Sequence, residues 1–196
     1  GADLRSTLAF TRYQAALKEG REQEAYAALK EAVNTDAGWA NADLRLLGWY
    51  YYGRFIYLIV EDYPLAEKIF LEAISYYREG SNSKWILSEL YRNLAAVENQ
   101  QKKINSALFS LLKSLEINPQ NEWAIIALGK IVFDQSPNDI QKVDSYFKRA
   151  VEINLHNINV WRSIITFWQS KNQEQKVDEY CAFALKNNIP LEECKY

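Results

Sequence analysis

The chain has 196 residues, 48% hydrophobic and 14% aromatic, with seven glycines and four prolines. Its net charge of −2, with both signs interspersed, argues against a general nucleic-acid binder, which carries a basic stripe. The longest near-continuous apolar run, residues 49–60, is interrupted by Arg54 and falls far short of the roughly 20 apolar residues a membrane span needs.

No basic segment followed by an apolar stretch opens the chain, so no signal peptide is expected there. The chain begins at Gly1 and lacks methionine, as expected of a processed form or a piece of a longer protein. No feature fixes a compartment; a soluble, cytoplasmic segment is the expectation.

Residues 4–18 read as a first helix, closed by Glu19-Gly20, with Gly20 suited to a left-handed helix end. Residues 22–33 form its partner. A long helix follows over residues 41–60, then a turn at Glu61-Asp62-Tyr63. Pro64 falls in the first turn of the next helix, where its missing N–H costs nothing, and that helix runs to residue 77. After a polar loop with Gly80 and Asn82, residues 84–98 and 104–117 form a third pair, closed by Pro119. A fourth pair carries Leu128-Gly129 in its first helix and breaks at Ser136-Pro137-Asn138-Asp139. The fifth spans residues 158–170 and 173–186, and Pro190 with residues 191–196 finishes the chain. No window alternates apolar and polar residues with period two, so no strands are expected.

The second helix of each pair carries a triplet at i, i+4, i+7: Ala25/Leu29/Ala32, Ala66/Phe70/Ala73, Ala107/Leu111/Ser114, Val143/Phe147/Ala150 and Val177/Cys181/Ala184. This spacing places small and large side chains on one helical face, where a neighbouring helix approaches closely. The third members stand 41, 41, 36 and 34 residues apart, and a fixed-order motif recurring at such intervals marks a repeat array. The pairs fall at about residues 4–38, 40–80, 84–119, 120–155 and 158–190, and one continuous domain over residues 1–196 is expected.

Chemistry-bearing motifs are scarce. His156, the only histidine, lies in the loop Asn154-Leu155-His156-Asn157 and reads as solvated surface. Cys181 and Cys194 do not make a disulfide framework: Cys181 fills the large slot of a triplet as a buried hydrophobe, and Cys194 lies in the polar tail. No zinc-ligand spacing, glycine-rich phosphate loop or nucleophile elbow is present. The acid pairs Glu61-Asp62 and Glu192-Glu193 read as solvating charges. No catalytic residue, metal or cofactor is therefore expected. The run W-Y-Y-Y-G-R-F-I-Y at residues 49–57 has two readings. Successive helical residues point about 100° apart, so the rings either fill wide inter-helix gaps or offer some of their number as a recognition surface.

With these residues in place, the chain resembles the tetratricopeptide repeat family. The resemblance is clearest over residues 84–189, where first helices carry Tyr91 with Leu94-Ala95, Ile125 with Leu128-Gly129, and Trp161 with Ile164-Ile165. The second pair keeps Gly53 and Tyr57 at longer spacing, and the first keeps only its second-helix triplet. The resemblance implies an all-α fold, a right-handed superhelical solenoid of about five antiparallel hairpins.

In that family first helices line a concave groove. The rule maps Tyr50, Arg54 and Tyr57 there from the second pair, and Glu89, Arg92 and Asn99 from the third. The fourth contributes Trp123, Ile126, Lys130 and Phe133, and the fifth Asn159, Arg162, Thr166 and Gln169. Tyr50, Tyr57, Trp123 and Phe133 would supply affinity, and Arg54 and Arg92 orientation, since arginine grips carboxylates bidentately. The alternative is that the cations only keep the groove soluble. The family's clamp for a chaperone tail is not reproduced, because Phe10 and Gln14 stand at its positions.

The expected function is a non-catalytic protein–protein interaction scaffold that binds a peptide or partner domain. The alternative is a soluble appendage of a larger enzyme or membrane protein, for example one that assembles bacterial surface glycans, or a glycosyltransferase. Lys176, Asp178, Glu179 and Lys186 give the last helix a polar outer face, so a monomer or weak dimer is expected.

Overall fold

The structure, a computed structural model, describes residues 3–194. Among them are ten α-helices, one π-helical turn and no strand. The helices are α1 (Arg5–Lys18), α2 (Glu22–Thr35), α3 (Ala42–Phe55), α4 (Tyr63–Ser75), α5 (Lys84–Gln100) and α6 (Ile104–Ile117). They continue as α7 (Glu122–Gln135), α8 (Ile140–Ile153), α9 (Ile158–Ser170) and α10 (Glu174–Lys186). The long helix expected over residues 41–60 is α3 continued by the π-helical turn Ile56–Val60. Gly1 and the last two residues of the expected tail lie outside the described residues.

Local chemistry sets the boundaries. Asn41, Asp62, Asn121 and Asp139 each accept a backbone N–H three residues on, at 2.8, 3.0, 3.1 and 3.3 Å, and so open α3, α4, α7 and α8. Gly20 takes the expected left-handed conformation with φ 74°. Glu61, Lys102 and Asn172 adopt the same conformation at the matching turns of three other hairpins.

The chain forms two compact units, Gly1–Pro119 and Gln120–Tyr196. The first holds the hairpins α1/α2, α3/α4 and α5/α6; the second holds α7/α8 and α9/α10. The triplets form the packing seams, and every member is buried except Val177 in the last hairpin, which is half-buried. In two hairpins the large member of the triplet meets a glycine on the first helix. A Cβ on Gly53 would lie 2.4 Å from the Phe70 ring, and one on Gly129 would lie 2.8 Å from the Phe147 ring. In α1/α2 the Ser6 hydroxyl donates to the Ala32 carbonyl at 2.8 Å. In α5/α6 the Ser88 hydroxyl does the same to Ser114 at 2.9 Å, across the same separation of 26 residues.

The aromatic run mostly fills inter-helix space. Phe55 stacks on Tyr26 at 4.1 Å between ring centroids, Trp49 meets Tyr76 edge-on at 5.3 Å, and Tyr51 lies 5.9 Å from Tyr13. The core of the second unit is built on Phe147, Trp161, Trp168 and Tyr180.

One sequence expectation is overturned here: Cys181 and Cys194 form a disulfide. The chain reverses after α10 through Asn188, with φ 59°, and buries Ile189 and Leu191, which brings Cys194 back onto Cys181. His156 is exposed in its loop, as expected. Among the described residues no helix is long and apolar enough to cross a membrane.

Candidate functional site

In the first unit, the residues mapped to the groove gather on α3, the π-helical turn and α5. The Arg54 guanidinium donates to Asn93 Oδ1 at 3.1 Å and lies 5.7 Å from the centre of the Tyr50 ring. Asn93 in turn donates to the Glu89 carbonyl at 2.7 Å. Arg92 grips the Glu89 carboxylate with Nε at 3.1 Å and Nη2 at 2.6 Å. Burial opposes the Arg92 charge, but Glu89 outweighs it and raises the guanidinium pKa further. Tyr57 and Asn99 are half-buried, and the Tyr57 ring packs against Tyr63 at 6.0 Å.

Tyr50 does not stand free as an anchor. It is 6% exposed, because Tyr51 packs 5.2 Å away and its hydroxyl points to Glu89 Oε2 at 3.4 Å. Burial raises its phenol pKa and pushes that of nearby Tyr13 up to about 12, so both rings stay neutral. Sequence reasoning missed Asn93, a buried amide on α5 in line with Ile86, Leu90 and Val97. A buried polar group in such a line is itself a sign of a network.

In the second unit, Lys130, Asn159, Arg162 and Thr166 come together. With Ser163, Phe167 and Ser170 they line an open depression of about 440 Å³ along α7 and α9. Lys130 Nζ donates to Ser163 Oγ at 3.1 Å and lies 5.9 Å from the centre of the Phe167 ring. Burial lowers the Lys130 pKa. Arg162 Nε lies 2.8 Å from Glu193 Oε1, which arrives from the reversed C-terminal segment. The depression thus combines an aromatic wall, hydroxyl and amide groups, and two cations. It is chemically suited to a chain segment bearing carboxylate and carbonyl groups.

Two residues mapped to this surface are instead core. Ile126 is 2% exposed and Phe133 is 8% exposed. The physical reason is that α7 packs on α9 as well as on α8. The Phe133 ring sits edge-on to Phe167 at 5.3 Å and to Trp168 at 6.0 Å, with Lys171 capping it at 5.1 Å. Trp123 is half-buried, and Gln169 lies on the open side of α9 beside a second cavity. Ser163, Phe167 and Ser170 were missed. Their signal is the i, i+4, i+7 stripe on α9, which continues the one through Asn159, Arg162 and Thr166.

No family model matches the sequence, and no curated protein matches it. Solved structures do match. The type IV pilus biogenesis factor PilW aligns with a TM-score of 0.67 at 16% identity, over 96% of this chain and 80% of that one. MamA from Desulfovibrio magneticus RS-1 aligns with a TM-score of 0.61 at 18% identity, over 95% and 96%. YrrB, a TPR protein with an unusual peptide-binding site, aligns with a TM-score of 0.52 at 17% identity, over 91% and 84%. At these identities the shared property is the fold: the chain is an array of helical hairpins with the tetratricopeptide-repeat fold.

Proposed function

We propose that the chain is a non-catalytic protein-interaction module that holds a peptide or partner segment against the first helices of its hairpins. The observation that carries this reading is the open depression on the second unit. Lys130 lies there 5.9 Å from the centre of the Phe167 ring, and Arg162, Asn159, Ser163 and Thr166 share the lining. Preordered donors on rigid helices bind an extended segment with little entropy lost in the receptor. The peptide-binding site of the structurally similar YrrB supports the reading by analogy of fold. On the first unit, Arg54, Tyr57, Arg92 and Asn99 offer a second face, with Arg92 already partnered by Glu89.

The test is selection from a random peptide display library on the wild-type chain, repeated on Lys130→Ala/Arg162→Ala. Enrichment of carboxylate-bearing peptides that is lost in the double variant supports the reading. Equal enrichment on both proteins, or none on either with both fully helical, removes the depression as the site.

A further inference from the structure

The C-terminal segment brings a carboxylate of the chain itself to Arg162, one of the residues that line the depression. Glu193 sits next to Cys194 and places Oε1 2.8 Å from Arg162 Nε. The fit is poor as a hydrogen bond. Arg162 Nε has no aligned acceptor, and Glu193 Oε2 is shielded from solvent with no partner. A carboxylate left half-satisfied in this way gains hydration by leaving, so the contact does not hold itself. What holds it is covalent: Cys194 is tied to Cys181 on α10, thirteen residues back. Ile189 and Leu191 bury their side chains in the same segment, on the α10 side of Glu193.

We propose that residues 192–194 form a disulfide-latched strap whose Glu193 occupies Arg162 as an internal ligand, so that reduction of Cys181–Cys194 frees that guanidinium for an acidic partner. This rests on the reading of the depression as a peptide site. Arg162 lines that depression and is at the same time the partner of Glu193, so the strap and an incoming carboxylate compete for one cation.

The latch is mostly buried, with Cys181 9% and Cys194 6% exposed, but it borders an opening. Cys181 and Cys194 line a separate open cavity of about 360 Å³, together with Gln169, Asn172, Val177 and Glu193. The reductant is a dithiol. Its thiolate attacks one sulfur of the disulfide and forms a mixed disulfide, which its second thiol resolves. Two electrons and two protons pass to the chain, which ends with two cysteine thiols, while the reductant ends as its own disulfide. The free strap then exchanges its half-satisfied ion pair for water, and Arg162 is left without its internal carboxylate.

The experiment uses the whole chain, with and without dithiothreitol, and a fluorescein-labelled hexaglutamate peptide followed by anisotropy at low ionic strength. Arg162 accessibility is read in parallel from phenylglyoxal modification mapped by mass spectrometry. The expected result is peptide binding roughly tenfold tighter after reduction, with faster labelling of Arg162. Glu193→Gln keeps the disulfide and is expected to bind like the reduced wild type without added dithiothreitol, and to gain nothing from it. Oxidised and reduced chains that bind and label equally overturn the strap while leaving the peptide site standing. Arg162 labelling that rises on reduction, with no peptide bound in any state, overturns the peptide site and leaves only the release of the strap. A Glu193→Gln chain that still needs reduction to bind overturns the assignment to Glu193.

Discussion

Asp36 and Arg45 lie nine residues apart, and the carboxylate of the first grips the guanidinium of the second at both Nε, 3.0 Å away, and Nη2. Asp36 also accepts the indole N–H of Trp39 at 2.9 Å and of Trp49 at 3.0 Å. Arg45 in turn lies 3.5 Å from the centre of the Tyr76 ring. One carboxylate thus ties the end of α2 to the α3/α4 hairpin, and it does so from a left-handed residue with φ 41°. The side chains are only 22% and 30% exposed, so water screens the pair incompletely. Asp36→Ala strands two indole N–H groups and a guanidinium, and is expected to cost roughly 2–3 kcal/mol. Asp36→Asn keeps an acceptor and tolerates the left-handed backbone, so it costs less. Urea denaturation followed by tryptophan fluorescence measures both; equal losses for the two variants would show that the charge, which both remove, carries the whole contribution and a neutral acceptor none.

Acid acts on the same site with a defined sign. Burial alone would raise the Asp36 carboxyl, but the hydrogen bonds from Arg45, Trp49 and Trp39 outweigh it and hold its pKa below the ordinary 3.8. A depressed folded pKa contributes stability that is fully present above the unfolded value and is lost as pH falls through the folded one. The difference in stability between wild type and Asp36→Asn is therefore expected to hold from pH 7 to about pH 4 and to shrink below that. Glu98 runs the other way. It is buried, burial raises its pKa above the ordinary 4.5, and the Ser110 hydroxyl, at 2.8 Å, supports its charge with a hydrogen bond. An acid with a raised folded pKa costs stability while ionised, so Glu98→Gln is expected to stabilise the chain at pH 7 and to lose that advantage at pH 4. Melting curves across this range on both variants check the two signs together.

The seam between α3 and α4 is set by Gly53 and Phe70. A Cβ at Gly53 would meet three Phe70 ring atoms at 2.4, 2.7 and 3.0 Å. Alanine is the better helix former by about 1 kcal/mol, yet overpacking of this kind costs about 1–3 kcal/mol. Gly53→Ala is thus expected to destabilise, and Phe70→Leu, which removes the ring, to recover part of the loss in the double variant. A double-mutant cycle by chemical denaturation reads this coupling. Simple additivity would mean that the glycine is there for some reason other than the ring.

The same seam explains how much the sequence could disclose. Helix faces that pack on a partner in every hairpin impose fixed spacings, so five triplets, and the glycines opposite Phe70 and Phe147, were legible. The faces of first helices were not. A first helix touches its own partner and the next hairpin too, so spacing alone does not separate an open position from one under a neighbour. Lys130 and Arg162 are half-buried and line the depression, while Tyr50, Ile126 and Phe133 are covered. The disulfide was illegible for another reason. Its two cysteines meet only because Ile189 and Leu191 fold the segment back, a tertiary event that leaves no spacing signature.

That division between covered and open positions yields a last prediction. Phe133 and Lys130 lie one turn apart on α7, and both were mapped to one recognition surface. The Phe133 ring, however, is locked among Phe167, Trp168 and Lys171, whereas Lys130 hydrogen-bonds to Ser163. Removing the ring opens a cavity in the core of the second unit, so Phe133→Ala is expected to cost about 3–5 kcal/mol. Removing the amine relieves a cation that burial already disfavours, so Lys130→Ala is expected to leave stability within about 0.5 kcal/mol of wild type. Peptide binding separates them in the opposite sense. Below the melting range of both proteins, Lys130→Ala should bind hexaglutamate more weakly and with a shallower dependence on salt, since it removes a charge from the depression. Phe133→Leu, which keeps most of the core volume, should bind like wild type. If Phe133→Leu loses binding while remaining folded, the ring is part of the recognition surface after all. If Lys130→Ala melts early, the lysine belongs to the structure of the unit and the depression loses one of its two cations as a ligand contact.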